Sequence, residues 1–320
     1  MIGVRDVLGP TTARSHRLLL VMAFAAIYLL WGSTYLAIRY AVDTLPPLLM
    51  AGTRAATAGA VLFVFVTRGR FPRLSAGHWR TVSVSGGLMF LGGHGLLCWA
   101  EQRIESGIAA LVLAMIPIWM VIVGWVSGGG KPGFGTITGV VLGFTGIVVL
   151  VSPWKSSMGM LGEPAALGAL IGSGFLWVCG SLYARKALPP GNVALSTAMQ
   201  LLTGGVLLLL VGIAIGEVNR LDFAMVSSRS ILSLVYLIVF GSLVAFSAYS
   251  WLLRKTDPVL VGTYAFVNPV VAVALGWSLG GERFDIVTVF AGAVIVIGVA
   301  VVQRSVGVRP QQVVRANSRP

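Results

Sequence analysis

Charge is scarce in this sequence: only 10% of its 320 residues are Asp, Glu, Lys or Arg. A soluble domain carries roughly a quarter. There are ten carboxylates and three histidines in all, and Glu101, Arg103 and Glu105 cluster at the outer end of the third apolar run. They suit a short solvated turn better than the clustered His, Asp and Glu of a hydrolytic or metal centre. The two cysteines, Cys98 and Cys179, lie inside apolar stretches and are read as small buried hydrophobes, not as a disulfide or metal ligands. No Gly-rich stretch follows a strand or carries the Lys-Ser/Thr of a phosphate loop, so nothing here hydrolyses ATP. No polar block is long enough to form a soluble domain. The first apolar span lacks an A-x-A-like cleavage site, which marks it as a retained helix rather than a signal peptide.

What the chain has in quantity is apolar length. Hydrophobic residues make up 57% and the mean hydropathy is +0.91. Runs of about 20 apolar residues cross the roughly 30 Å hydrocarbon core as helices. Ten such runs are read: 18–41, 46–66, 82–100, 105–126, 134–151, 164–184, 192–215, 230–252, 258–279 and 285–302. Pro46-Pro47, Glu163-Pro164, Asn192 and Asp257-Pro258 mark helix starts.

The chain also repeats itself. Trp99 to Trp125, moved forward by 152 positions, lands on Trp251 to Trp277, with Pro117 on Pro269 and Gly124 on Gly276. Upstream the offset is 146: Trp31 meets Trp177, Arg39 meets Arg185, and Arg54 meets Gln200. The expected organisation is a tail over 1–17, a five-helix repeat over 18–151, a second over 164–302, and a tail over 303–320. Because five is odd, successive repeats enter the membrane from opposite sides. The fold class is therefore an all-α integral membrane protein of ten transmembrane helices in two inverted repeats. That plan belongs to secondary transporters, whose substrate path lies near the midplane between the halves.

The formal charge of +13 follows the topology. With the N-terminus cytoplasmic, inside segments hold 16 Lys and Arg and outside segments six, leaving Arg54 within a helix. The bias puts both termini in the cytoplasm. The excess is an orientation device, with anionic lipid as a further attraction, and no nucleic-acid partner is expected.

Several of these stretches resemble the EamA family of the drug/metabolite transporter superfamily. They are WGSTYLAIRYA at 31–41, Pro47 followed by Arg54, ESGIAALVLAMIPIW at 105–119, GFTGIVVLV at 143–151 and GGER at 280–283. The resemblance covers residues 18–302 and implies an inner-membrane exporter of small metabolites with a central cavity. Cargo in that family ranges over amino acids, other metabolites and toxic compounds. The first half departs from the pattern at Lys131, which has no acidic neighbour to match Glu282 beside Arg283.

A charge within a membrane helix costs at least a few kcal/mol and usually faces water or a partner. Arg54 is either a clamp on carbonyls or a contact for a substrate carboxylate. His94 is either a buried neutral imidazole or part of a proton path, with Glu101 as its companion at the outer mouth. Trp31 and Trp177, with Tyr35 near the first, line the path or pack the first helices together. Trp99, Trp125, Trp251 and Trp277 suit the headgroup belt. Gln200, Tyr249, Tyr264 and Asn268 add amides and hydroxyls. Pro117 and Pro269 free the carbonyls of Leu113 and Ala265 and place kinks beside the path. Gly139-x-x-x-Gly143, Gly168-x-x-x-Gly172 and Ala291 with Gly298 predict close helix contacts; helices five and ten are scaffold or dimer surface. The substrate-binding candidates are thus Trp31, Tyr35, Arg54, His94, Pro117, Trp177, Gln200, Tyr249, Tyr264 and Asn268. No catalytic residue, metal or cofactor is expected. The reading is a carrier, as a monomer or homodimer, with proton coupling open; a multi-pass enzyme and a passive channel are the alternatives.

Overall fold

The computed structural model describes residues 10–70, 74–128, 130–151, 164–188, 193–256, 258–284 and 286–307. Helix starts read at Glu163, Asn192 and Asp257 lie outside them. Among the described residues there is no strand, and each apolar run of the sequence is helical. Seven helices are long and apolar enough to cross a membrane. They are α1 (Arg17–Ala41), α2 (Pro47–Thr67), α3 (Ala76–Ala100), α4 (Ser106–Val126), α6 (Pro164–Ala187), α7 (Val193–Ala214) and α8 (Ser228–Lys255). Between and after them lie α5 (Phe134–Val151), α9 (a turn Pro258–Val261, then Tyr264–Ser278) and α10 (Ile286–Gly307). Their continuous apolar parts are shorter, at Phe134–Gly146, Val267–Ser278 and Ile286–Val302. The protein is an all-α membrane protein.

The packing joins each helix to the other half. α2 runs along α7, and α5 along α10, so corresponding helices of the two repeats touch. α1 packs on α8 and α9, while its repeat partner α6 packs on α3 and α4. Small residues make the pairings possible. A Cβ on Gly59 would lie 2.5 Å from the Leu202 nitrogen, and one on Gly298 2.5 Å from the Gly143 nitrogen. Close approach is therefore real for Gly139, Gly143 and Gly298. It does not hold for the α6 pair: Gly168 has open space around it, and Gly172 meets only the Leu96 side chain at 3.6 Å. The close approach of α6 to α3 comes instead at Gly180, where a Cβ would lie 3.1 Å from Ser85 O.

Three stretches are wound as π-helix: Ala26–Leu30 in α1, Gly87–His94 in α3 and Leu237–Phe246 in α8. The latter two correspond under the 152-residue offset. A π turn leaves backbone carbonyls without their usual i+4 partner and is often found at functional sites. The proline kinks differ between halves. α4 breaks at Ala114–Met115, just before Pro117. α9 breaks earlier, at Gly262–Thr263, and carries Pro269 inside its continuing helix.

α3 and α8 are capped by their own serines, Ser75 accepting from His78 N and Ser227 from Ser230 N. α2 and α4 have no side-chain cap from their own N-cap residues, Pro46 and Glu105. Orphan N–H groups at a helix start need acceptors, and both helices obtain them from the second half. Glu217 accepts from Leu48 N at 3.0 Å and Leu49 N at 2.9 Å. Glu282 accepts from Ser106 N at 2.9 Å, Ser106 Oγ at 2.6 Å and Gly107 N at 3.1 Å.

Candidate functional site

A cavity of about 50 Å³ opens where the halves meet. Its wall takes Trp31, Thr34, Tyr35 and Ile38 from α1, His94 and Leu97 from α3, and Leu113 and Ile116 from α4. The second half supplies Ser173 and Trp177 from α6 and Tyr264 and Asn268 from α9. Neither α5 nor α10 contributes. Larger clefts lie elsewhere, one of about 470 Å³ between α9 and α10 and one of about 700 Å³ between α4 and α6. The first is lined almost wholly by aliphatic groups, including the exposed Val270 and Val289, and fits acyl chains. The second carries Ser127 from the first half and Tyr183, Arg185 and Lys186 from the second, whereas the central cavity is ringed by aromatic and hydrogen-bonding groups from four helices, α1 and α3 of the first half and α6 and α9 of the second.

Aromatic rings build the wall. The Trp31 ring lies 5.7 Å from Trp177, 5.2 Å from Tyr264 and 5.0 Å from Tyr249, centroid to centroid. Edge-to-face pairs of this kind add about 0.5–1.5 kcal/mol each beyond burial. Trp31 Nε1 donates to Gly241 O at 3.1 Å, a carbonyl inside the α8 π stretch. With its amide oriented to satisfy both ends, Asn268 donates to Ile27 O at 3.2 Å and Tyr28 O at 3.0 Å, inside the α1 π stretch. The unwound carbonyls of each half are thus met by a side chain of the other.

His94 stacks on Phe90 at 5.3 Å and meets Trp177 edge-on at 5.1 Å, and its Nδ1 has no hydrogen-bond partner. Its repeat counterpart, Phe246, packs on the same two rings. Trp177 Nε1 lies beside the hydroxyls of Tyr249 and Tyr264 without forming a hydrogen bond of good geometry.

Of the ten sequence candidates, six stand on the cavity wall: Trp31, Tyr35, His94, Trp177, Tyr264 and Asn268. Pro117 is buried next to Ile116, outside the wall. Tyr249 lies behind it, donating to Ser181 Oγ at 2.9 Å, and shares a smaller cavity of about 20 Å³ with Gln200. Gln200 is itself tied to Ser85 Oγ at 2.8 Å. Arg54 is also off the wall. It is 3% exposed and donates from Nε to Ser242 Oγ at 2.9 Å, with Nη1 unpaired. Thr34 on the wall and Gly241 behind it separate the guanidinium from the cavity; a Cβ on Gly241 would fall 2.7 Å from Arg54 Nη2 and 3.0 Å from Thr34 Cγ2.

One residue differs sharply from its sequence reading. Glu101 does not stand in a solvated turn: it is 0% exposed, and neither carboxylate oxygen has a hydrogen-bond partner among the described residues. Arg39 covers it, donating from Nη1 to Glu101 O at 2.7 Å and Ile104 O at 3.2 Å. Burial, with Glu282 adding, pushes its carboxyl well above the usual carboxylate range, against the pull of Arg39 and Arg54. Half-buried Glu105 is pushed up by the same two causes. Arg103 sits over the Trp99 ring at 4.3 Å. Trp125 and Trp277 are exposed, and Trp99 and Trp251 are part-buried.

Two matches cover both halves. The sequence pattern of the EamA-like transporter family matches residues 18–152 and again 164–304. The chain is 38% identical over 285 residues to the Escherichia coli K12 protein "Uncharacterized inner membrane transporter YedA", spanning 88% of this chain and 89% of that one. It is 24% identical over 281 residues to a "Probable amino-acid metabolite efflux pump" of the same organism, covering 85% and 90%. A crystal structure shares the fold with a TM-score of 0.63 and 22% identity, over 89% of this chain and 96% of that one.

Proposed function

Since the chain belongs to the EamA-like transporter family, and is a multi-pass inner-membrane transporter, we propose that it exports small metabolites by alternating access through the central aromatic cavity. The observation that carries this reading is the cavity's construction. Its wall comes from both repeats, the π-wound part of α3 stands on it, and the breaks in α4 and α9 flank it. Irregular backbone at membrane depth is tolerated where it lines protein or a cavity. Helices α5 and α10 stay outside, as scaffold expects.

The size of the cavity supports a cycle over an open pore. About 50 Å³ holds one or two waters, whereas small-molecule sites run to about 300 Å³ or more. Cargo therefore enters only when one end swings open. The end bearing Arg39, Glu101, Glu217 and Glu282 corresponds to the outside under the 16-to-six basic bias, with both termini cytoplasmic. Its helices are tied by the Glu217 and Glu282 caps, which supports an outward-closed conformation.

Amino acids and related zwitterions suit the wall. Rings accept an apolar side chain, Asn268 and Tyr264 offer polar contacts, and Arg54 supplies positive potential behind Thr34. The "amino-acid metabolite" in one relative's name points the same way. Purified protein in liposomes, loaded in turn with neutral amino acids, glutamate and cationic drugs, tests this. Flux of amino acids above protein-free liposomes is expected. Flux of cationic drugs alone overturns the substrate class; flux of none, with the protein folded, overturns export of these metabolites.

A further inference from the structure

Glu101 combines features a structural carboxylate does not. It sits one turn beyond the cavity-wall residue Leu97, at the C-terminal end of α3. It is fully buried, yet its two oxygens accept no hydrogen bond among the described residues. Neither guanidinium near it donates to its carboxylate, and Arg54 Nη1 is itself unpaired among the described residues. Arg39 donates to the carbonyls of Glu101 and Ile104, and Arg54 Nε to Ser242. Glu217 and Glu282 have the same residue type and similar burial, but each is saturated with N–H donors at a helix start. A buried ionised carboxylate without donors costs several kcal/mol, and such groups neutralise instead.

We propose that Glu101 is the proton-binding site of the transport cycle. Its carboxylate takes a proton from external water as the outer end closes and releases it towards the cytoplasm when the inner end opens. One proton moves inward for each turn of the exporter. The step is a plain acid–base exchange: an O–H bond forms on a Glu101 oxygen and later breaks to cavity water, with no redox change. This rests on the export reading and on the outward placement of the Glu101 end.

The groups facing Glu101 come from several elements. They are Tyr35 and Arg39 of α1, Arg54 of α2, Cys98 of α3, and Glu105 and Glu282 of the flanking turns. The sign follows from linkage. The closed state binds a proton that the open, solvated carboxylate releases. Falling external pH therefore favours closure, by up to tenfold per pH unit between the carboxyl's open-state and closed-state titration points.

Two measurements decide it on the full chain. Infrared spectra of protein carrying carboxyl-labelled glutamate, in lipid nanodiscs at about pH 7, should show a protonated carboxyl band that Glu101→Gln removes. In liposomes, export of a labelled neutral amino acid by wild type should follow an imposed pH gradient, and Glu101→Gln should make it insensitive. Glu101→Asp, which keeps a titratable group, should shift the pH midpoint and not abolish it. A folded wild type without the protonated band overturns the proposal whether or not the variants fold. So does a Glu101→Gln protein whose flux still follows the gradient. If the label does not move but the band is present and belongs to Glu101, the cargo reading fails and the proton site stands.

Discussion

Glu282→Ala is the sharpest perturbation of the closed end. Glu282 is 7% exposed and holds the start of α4 to the turn between α9 and α10 through Ser106 N, Ser106 Oγ and Gly107 N. Hydrogen bonds to a charged group contribute about 1.5–3 kcal/mol net. A negative charge at a helix N-terminus adds about 0.3–2 kcal/mol. These overlap, and removing Glu282 leaves buried N–H groups without acceptors, so about 3 kcal/mol of closure is lost. At 1.4 kcal/mol per decade, that raises the open population roughly 100-fold. Glu282→Gln keeps one acceptor oxygen without the charge and should give on the order of tenfold. Cys98 is a native reporter, 0% exposed on the last turn of α3. In a Cys179→Ser background at fixed pH, its modification rate by a membrane-impermeant thiol reagent reads the open fraction. The expected order is Glu282→Ala, then Glu282→Gln, then wild type. Equal rates in three folded proteins would refute the idea that this carboxylate holds the outer end shut.

Gly298→Val should prevent folding, because its Cβ meets the Gly143 backbone at 2.5 Å, where overpacking costs about 1–3 kcal/mol or more; Gly168→Ala, facing open space, should leave the monodisperse yield unchanged. Trp31→Phe removes the donor to Gly241 O and should lower stability to denaturant by about 1–2 kcal/mol. Arg54→Gln keeps a donor for Ser242 and should be tolerated better than Arg54→Leu. Where the cargo carries a carboxylate, Arg54→Gln should weaken its binding roughly tenfold or more, for a charge contribution of about 1.5 kcal/mol, and leave a purely cationic cargo unaffected.

The repeat and the apolar runs are local properties of the chain, and the all-helical membrane fold was legible from them. Trp31 and Trp177 were legible because the repeat pairs them, and their rings do meet at 5.7 Å. The π stretches were not legible: LGGH and LIVF read as ordinary apolar helix, and the winding depends on what receives the loosened carbonyls. Asn268 and Trp31 supply that from the opposite repeat. The burial of Glu101 was hidden for a similar reason. Arg39 lies 62 residues away and Glu282 far beyond it, and a residue one step past a helix end ordinarily meets water. The capping carboxylates Glu217 and Glu282 escaped because the repeat offers no acid at Phe71 or Gly130, the matching positions of the first half. That asymmetry gives one end of the bundle a carboxylate latch with no acidic counterpart at the matching repeat positions.

The central claim is that the cavity between the halves is the path. Ser173 lies on its wall at 3% exposure, its hydroxyl on Gly93 O at 2.8 Å, and Ser173→Cys is nearly isosteric. In a chain with Cys98 and Cys179 replaced by serine, a small impermeant thiol reagent should reach Cys at this position from either face of the membrane. Amino-acid flux should fall in proportion to the fraction modified. Full modification with undiminished flux would mean that cargo travels elsewhere.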